Sequence, residues 1–148
     1  MYLICNNTLI EEEELMLTVR NRAFQYNDGF FESMIVKNGQ IRFWEDHLER
    51  MMQATAQLKL QIPEEFTEDE LNKQLVGLAK VNSIADSARV KVRVWRSGAG
   101  LYTPETSDTE YIITIEPFEE EKIDPVVVRT GFYSGIKNHY SPVSFFKG

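Results

Sequence analysis

The chain has 148 residues, of which 43% are hydrophobic and 26% charged, enough apolar content for one core and too ordinary a balance for wholesale disorder. Sixteen basic residues against 23 acidic ones leave a formal charge of -7, which opposes a generic nucleic-acid or anionic-membrane role because phosphate contact needs a basic face. The single cysteine, Cys5, can form neither an internal disulfide nor a zinc site alone, and no apolar run reaches bilayer length, so a cytoplasmic protein without a membrane or nucleic-acid partner is expected.

Residues 2–5 and 8–10 flank Asn6 and Asn7 and predict a small hairpin, with Cys5 a small strand residue. The acidic run at residues 11–14 reads as a solvated loop or sheet edge. Residues 22–33 read as a site-bearing turn that enters a strand. Residues 33–37 and 40–43 surround Asn38 and Gly39, a pair that predicts two strands joined by a type I′ turn.

The first helix is predicted over residues 44–58, with Leu48, Met51, Met52, Thr55 and Leu58 as its core stripe and Glu45 and Asp46 in the dipole-favoured first turn. His47 and Arg50 stand three residues apart on it, so both can reach one anionic group. The competing arrangement is a solvated face on which Asp46 and Arg50 form an i,i+4 pair. Pro63 punctuates the end. Thr67 followed three residues later by Glu70 has the capping-box pattern, and Leu71, Leu75, Leu78 and Ala79 carry the apolar face of a second helix that stops near Asn82.

Residues 89–95 alternate with a period of two, placing Val90, Val92 and Val94 on one face and Arg89, Lys91, Arg93 and Trp95 on the other, which is expected to be solvated. Residues 111–115 and 126–130 predict two more strands, separated by the acidic connection at residues 119–121. Hairpin-linked strands grouped around two helices, without repeated strand-helix alternation, give an α+β fold: a largely antiparallel sheet with two helices on one face, a single domain over residues 1–148.

Four motifs in order cover nearly the whole chain: Tyr26 to Glu32 with Asn38 and Gly39; the helical run from Glu45 through His47 to Arg50; Val92 to Thr103 with Gly98 and Gly100; and Ser144 to Gly148 with Lys147. Together they resemble the class IV aminotransferases, pyridoxal-phosphate enzymes whose members include branched-chain aminotransferase, D-amino acid aminotransferase and aminodeoxychorismate lyase. The fold expected above agrees with the N-terminal domain of that family. The resemblance implies pyridoxal 5'-phosphate as cofactor, a small-molecule substrate that is an amino acid or aminodeoxychorismate, and a homodimer.

Residue by residue, the resemblance makes Lys147 the catalytic and cofactor-binding lysine that forms a Schiff base, which requires its ordinary pKa of about 10.4 to be lowered. Arg50 matches the arginine that binds the cofactor phosphate, and a planar guanidinium suits that task. His47 is a support behind it, Glu32 an orienting acceptor, and Tyr26, Phe31 and Arg96 are substrate-side positions.

Two departures accompany the likeness. Several family members hold a substrate carboxylate with an arginine in the glycine-rich loop, where this chain has Leu101, while Arg96 matches the arginine at the strand end. The chain also stops one residue after Lys147, whereas the family's second domain supplies the acidic partner of the pyridine nitrogen. Residues 131–148 are therefore expected to lead toward that domain, and this polypeptide alone to bind the cofactor weakly. The competing class is a non-catalytic binding or assembly module that keeps the fold. A metal hydrolase built on His47 and His139 lacks ligand spacing.

Overall fold

The computed structural model describes residues 1–119 and residue 131. Tyr2–Cys5 (β1) and Thr8–Glu11 (β2) form the expected hairpin, and Asn6 and Asn7 both take the positive φ that a type I′ turn demands. The acidic run closes β2 with Glu11 and continues as a 3-10 turn over Glu12–Glu14, in which the Glu14 carboxylate reaches back to the Glu11 N–H.

Arg22–Tyr26 is a five-residue helix (α1), not the turn expected there. Asn21 caps it by accepting from the Ala23 N–H at 2.9 Å, and Asn27 stops it in the left-handed region. The strand that follows, Gly29–Lys37 (β3), starts four residues earlier than predicted because Gly29 pairs with Trp95. A Cβ on Gly29 would lie 2.3 Å from the Val94 carbonyl oxygen, so only glycine permits that approach. Gln40–Ile41 (β4) is shorter than predicted, since Phe43 swings to positive φ to open the next helix.

Trp44–Leu58 (α2) carries Glu45 and Asp46 in its first turn. Its buried stripe is Trp44, His47, Met51, Ala54 and Thr55, with Leu48 and Leu58 half-buried. Met52, predicted for the core, is 48% exposed. Trp44 sets the phase of the helix against the sheet, and Met52 falls beside that stripe. Glu68–Val81 (α3) begins at Thr67, whose hydroxyl accepts from the Glu70 N–H, and buries Leu71, Leu75 and Leu78. Asn82 ends it as predicted and fastens it to β1 by exchanging hydrogen bonds with the Tyr2 backbone at 2.8 and 2.9 Å.

Ser87–Arg96 (β5) and Thr109–Pro117 (β6) complete, among the described residues, one six-stranded sheet in the order β2-β1-β6-β5-β3-β4, with every neighbouring pair antiparallel. The core lies between one sheet face and α2 and α3, where Met34, Met51, Leu71, Val92 and Ile113 are almost fully excluded from water. The molecule is the α+β arrangement expected. On the opposite face Arg89 and Arg93 are exposed as predicted, but Trp95 is not: it is buried with Leu3 and Ile112, beneath Leu15 and Ala23. Alternation assigns side chains to faces; it does not say where a face is covered. The predicted strand at residues 126–130 lies outside the described residues.

Candidate functional site

Alternation along β3 turns Glu32 toward the helices, between Phe30 and Met34, where its side chain is only 6% exposed. A carboxylate there needs partners. The first two turns of α2 supply them: Arg50 Nη2 donates to Glu32 Oε1 at 2.7 Å, Arg50 Nε donates to Oε2 at 3.4 Å, and His47 Nδ1 lies 2.7 Å from Oε1. Burial alone would push the Glu32 carboxyl up, but the hydrogen bond from Arg50, then the contact with His47 and the charge of Arg50, outweigh it and hold the group below its usual range. The bond to Glu32 in turn pushes the Arg50 guanidinium up. Arg50 is therefore a fixed cation braced from behind, with 47% of its side chain still exposed to solvent. Its ion pair is with Glu32, 18 residues away, and not the i,i+4 pair with Asp46.

A second cluster fixes the glycine-rich loop. Arg22 is 3% exposed; its Nε donates to Asp28 at 2.8 Å and its Nη1 to the carbonyls of Ala99, Gly100 and Leu101 at 2.9 to 3.2 Å. Arg96 donates to the same Asp28 oxygen at 3.0 Å, to the Lys59 and Thr106 carbonyls, and to the Leu58 carbonyl. Those last contacts satisfy the open end of α2, whose terminal carbonyls lack partners within the helix. One carboxylate thus joins α1, β5 and the C-terminus of α2.

The residues predicted for the site fall in different places. Arg50 joins His47 and Glu32 on the helix face. Tyr26 is half-buried at the end of α1, with its ring 5.9 Å from that of Tyr102 and under the Arg22 guanidinium at 4.9 Å, so it belongs to the glycine-rich loop cluster. Phe31 points to the outer face, where Lys91 Nζ stands 5.0 Å over its ring. Arg50 and Phe31 thus lie on opposite sides of β3. Arg96 is buried at 6% exposure and directed into the fold. Lys147 lies outside the described residues, as does His139. Among the described residues no cluster of His, Cys, Asp and Glu has the makings of a metal site, and no helix is long and apolar enough to cross a membrane.

Sequence reasoning passed over Arg22 and Asp28. They pair with each other six residues apart, and their other partners lie 77 to 79 and 68 residues along the chain, a separation that no local pattern reveals. Glu32 did carry a signal, a charge at a core position of an alternating strand. A cleft of about 520 Å³ on the outer face, lined in part by Ser33, Arg89, Lys91 and Arg93, lies across the sheet from Arg50.

A model of the amino-transferase class IV family matches residues 29–148. The chain is 30% identical over 129 residues to D-alanine aminotransferase of Bacillus licheniformis, an alignment that covers 82% of this chain and 44% of that protein. It is 30% identical over 100 residues to aminodeoxychorismate lyase of Vibrio harveyi, covering 66% of this chain and 34% of that protein. The chain spans less than half the length of the curated relatives it matches. Its fold superposes on the PLP-bound form of a hypothetical aminotransferase from Mycobacterium tuberculosis at a TM-score of 0.61 and 19% identity, covering 79% of this chain and 39% of that one.

Proposed function

The chain belongs to the amino-transferase class IV family, and from that premise we propose that it supplies the phosphate-holding wall of a pyridoxal 5'-phosphate site in an enzyme acting on the amino group of an amino acid. The observation that carries the reading is Arg50, a half-exposed guanidinium held in place by a buried carboxylate. A planar fork fixed on one edge can offer its remaining N–H groups to a phosphate without first losing side-chain freedom. Bound there, pyridoxal phosphate supplies an electron sink for charge developing at the substrate alpha carbon.

The chain's own groups divide the remaining work. Lys147 takes the covalent and proton-carrying role, on the strength of the family likeness. Tyr26 walls the substrate side, beside the glycine-rich loop in which Leu101 replaces the carboxylate-holding arginine, whereas Phe31 and Lys91 lie on the opposite side of β3 from Arg50 and face away from the cofactor phosphate. Arg96 serves the site indirectly, by tying the end of α2 to β5 and to the loop. Amino transfer is the first reading, since a D-alanine aminotransferase is among the relatives. Pyruvate elimination, as the name of the Vibrio harveyi relative suggests, is the second. Phe24, Leu101 and Tyr102 stand 76%, 76% and 90% exposed around the loop cluster, and a second copy of the chain is the partner that would cover them.

The test is cofactor affinity. Arg50→Ala is expected to weaken pyridoxal phosphate binding by at least roughly tenfold, the loss of one charge-assisted pair, and Arg50→Lys by less, followed through the cofactor's absorbance as pyridoxal phosphate is titrated to saturation of the wild type. Equal affinity of wild type and Arg50→Ala would remove Arg50 from the phosphate site.

A further inference from the structure

Three atoms behind the proposed phosphate site stand at the corners of an equal-sided triangle: Glu32 Oε1, Arg50 Nη2 and His47 Nδ1 are 2.7 Å apart on each side. Every side has a hydrogen-bond length, yet no position of the imidazole proton turns all three into hydrogen bonds. With the proton on Nδ1, His47 donates to Glu32 and sets its N–H against the N–H groups of Arg50, which never lacks hydrogens. With Nδ1 bare, it accepts from Arg50 and turns a lone pair on the carboxylate oxygen. One side is repulsive either way.

The three side chains differ in their freedom to yield. Glu32 and His47 are 6% and 10% exposed, Arg50 47%. Asp46 and Glu49, also on α2, are the other charges felt by Arg50 among the described residues. We infer that His47 is a positioning residue whose proton moves to Nδ1 when an anion turns Arg50 Nη2 toward itself, the Arg50 Nε staying on Glu32 Oε2, so that His47 takes over as hydrogen-bond donor to Glu32 Oε1. The exchange is between neutral tautomers: one proton leaves Nε2 for solvent, one arrives at Nδ1, and the charge is unchanged. The buried carboxylate then keeps a donor on each oxygen while Arg50 Nη2 is engaged by the anion. This inference rests on the reading that Arg50 receives the cofactor phosphate.

The chain contains two histidines, so a His139→Gln background leaves His47 as the one imidazole signal in the nitrogen NMR spectrum of the full chain. Spectra are taken near pH 8.5, about two units above the ordinary imidazole value. In ligand-free Arg50→Ala the fraction protonated on Nδ1 is expected to rise above that of the parent. Saturating sulfate or pyridoxal phosphate is expected to raise it in the parent. His47→Leu is expected to lose roughly fivefold more sulfate affinity than His47→Gln, which keeps a donor. A tautomer ratio unaltered by Arg50→Ala, or unaltered in the parent with anion bound, overturns the inference. Undiminished cofactor affinity of Arg50→Ala strikes at the phosphate assignment instead, while the ligand-free comparison still decides the fate of the tautomer exchange.

Discussion

Glu32 shows how a single residue can be both a cost to the core and the support of a site. Its position in β3 belongs to the apolar face, and only the bonds from Arg50, with the His47 imidazole in contact beside them, make an ionised carboxylate tolerable there. Because those bonds hold its pKa below the ordinary value near 4.3, Glu32 binds fewer protons folded than unfolded as the pH falls through that range. It therefore contributes stability that is present in full above the unfolded value and is lost as pH drops through the depressed folded one. Glu32→Gln is expected to cost roughly 1.5–3 kcal/mol at pH 7, and the gap from wild type should close in strong acid. Urea unfolding at neutral and acid pH checks this, and a gap of constant size would mean that the carboxylate charge is irrelevant. Arg50→Ala should cost less, about 1 kcal/mol or below, since half of its side chain is in water.

At the scale of elements, Asp28 is the joint. It sits between α1 and β3 and neutralises part of two buried arginines that reach the glycine-rich loop and the end of α2. Asp28→Ala leaves both cations unpaired and is expected to destabilise the protein by roughly 3–5 kcal/mol, read from thermal or urea unfolding; a loss below about 1 kcal/mol would show that the loop carbonyls alone suffice. Little of this joint was legible in the sequence: Arg22 and Asp28 stand only six residues apart, but the bonds that tie them to Arg96 and to the glycine-rich loop close over 68 to 79 residues. What was legible followed local rules: Asn38 and Gly39 marked a turn, Thr67 and Glu70 marked a helix start, and the valines of β5 marked a buried face. The failures were also local in cause. A helix as short as α1 has no periodicity to detect, Met52 was misplaced for want of the phase set by Trp44, and Trp95 was left in water because Leu3 and Ile112 arrive from distant strands. Within the site, the pairing of His47 and Arg50 on one helix face was readable; the carboxylate that unites them required the sheet.

The whole molecule carries a charge of -7, yet presents cations at Arg50 on one face and at Lys91 and Arg93 on the other. Exposed apolar side chains gather around α1 and the glycine-rich loop. Self-association through that end predicts a sedimentation coefficient that falls with dilution and a weaker dimer in Tyr102→Glu; a monomer at all concentrations would exclude it. The central claim is that Arg50 and Lys147 hold opposite ends of one pyridoxal phosphate. Its most direct measurement is borohydride reduction of the full chain with pyridoxal phosphate, followed by peptide mapping in wild type and Arg50→Ala. The expected result is a label confined to Lys147 that falls at least roughly tenfold in Arg50→Ala. A label spread over several lysines, or one at Lys147 that is indifferent to Arg50, would contradict the claim.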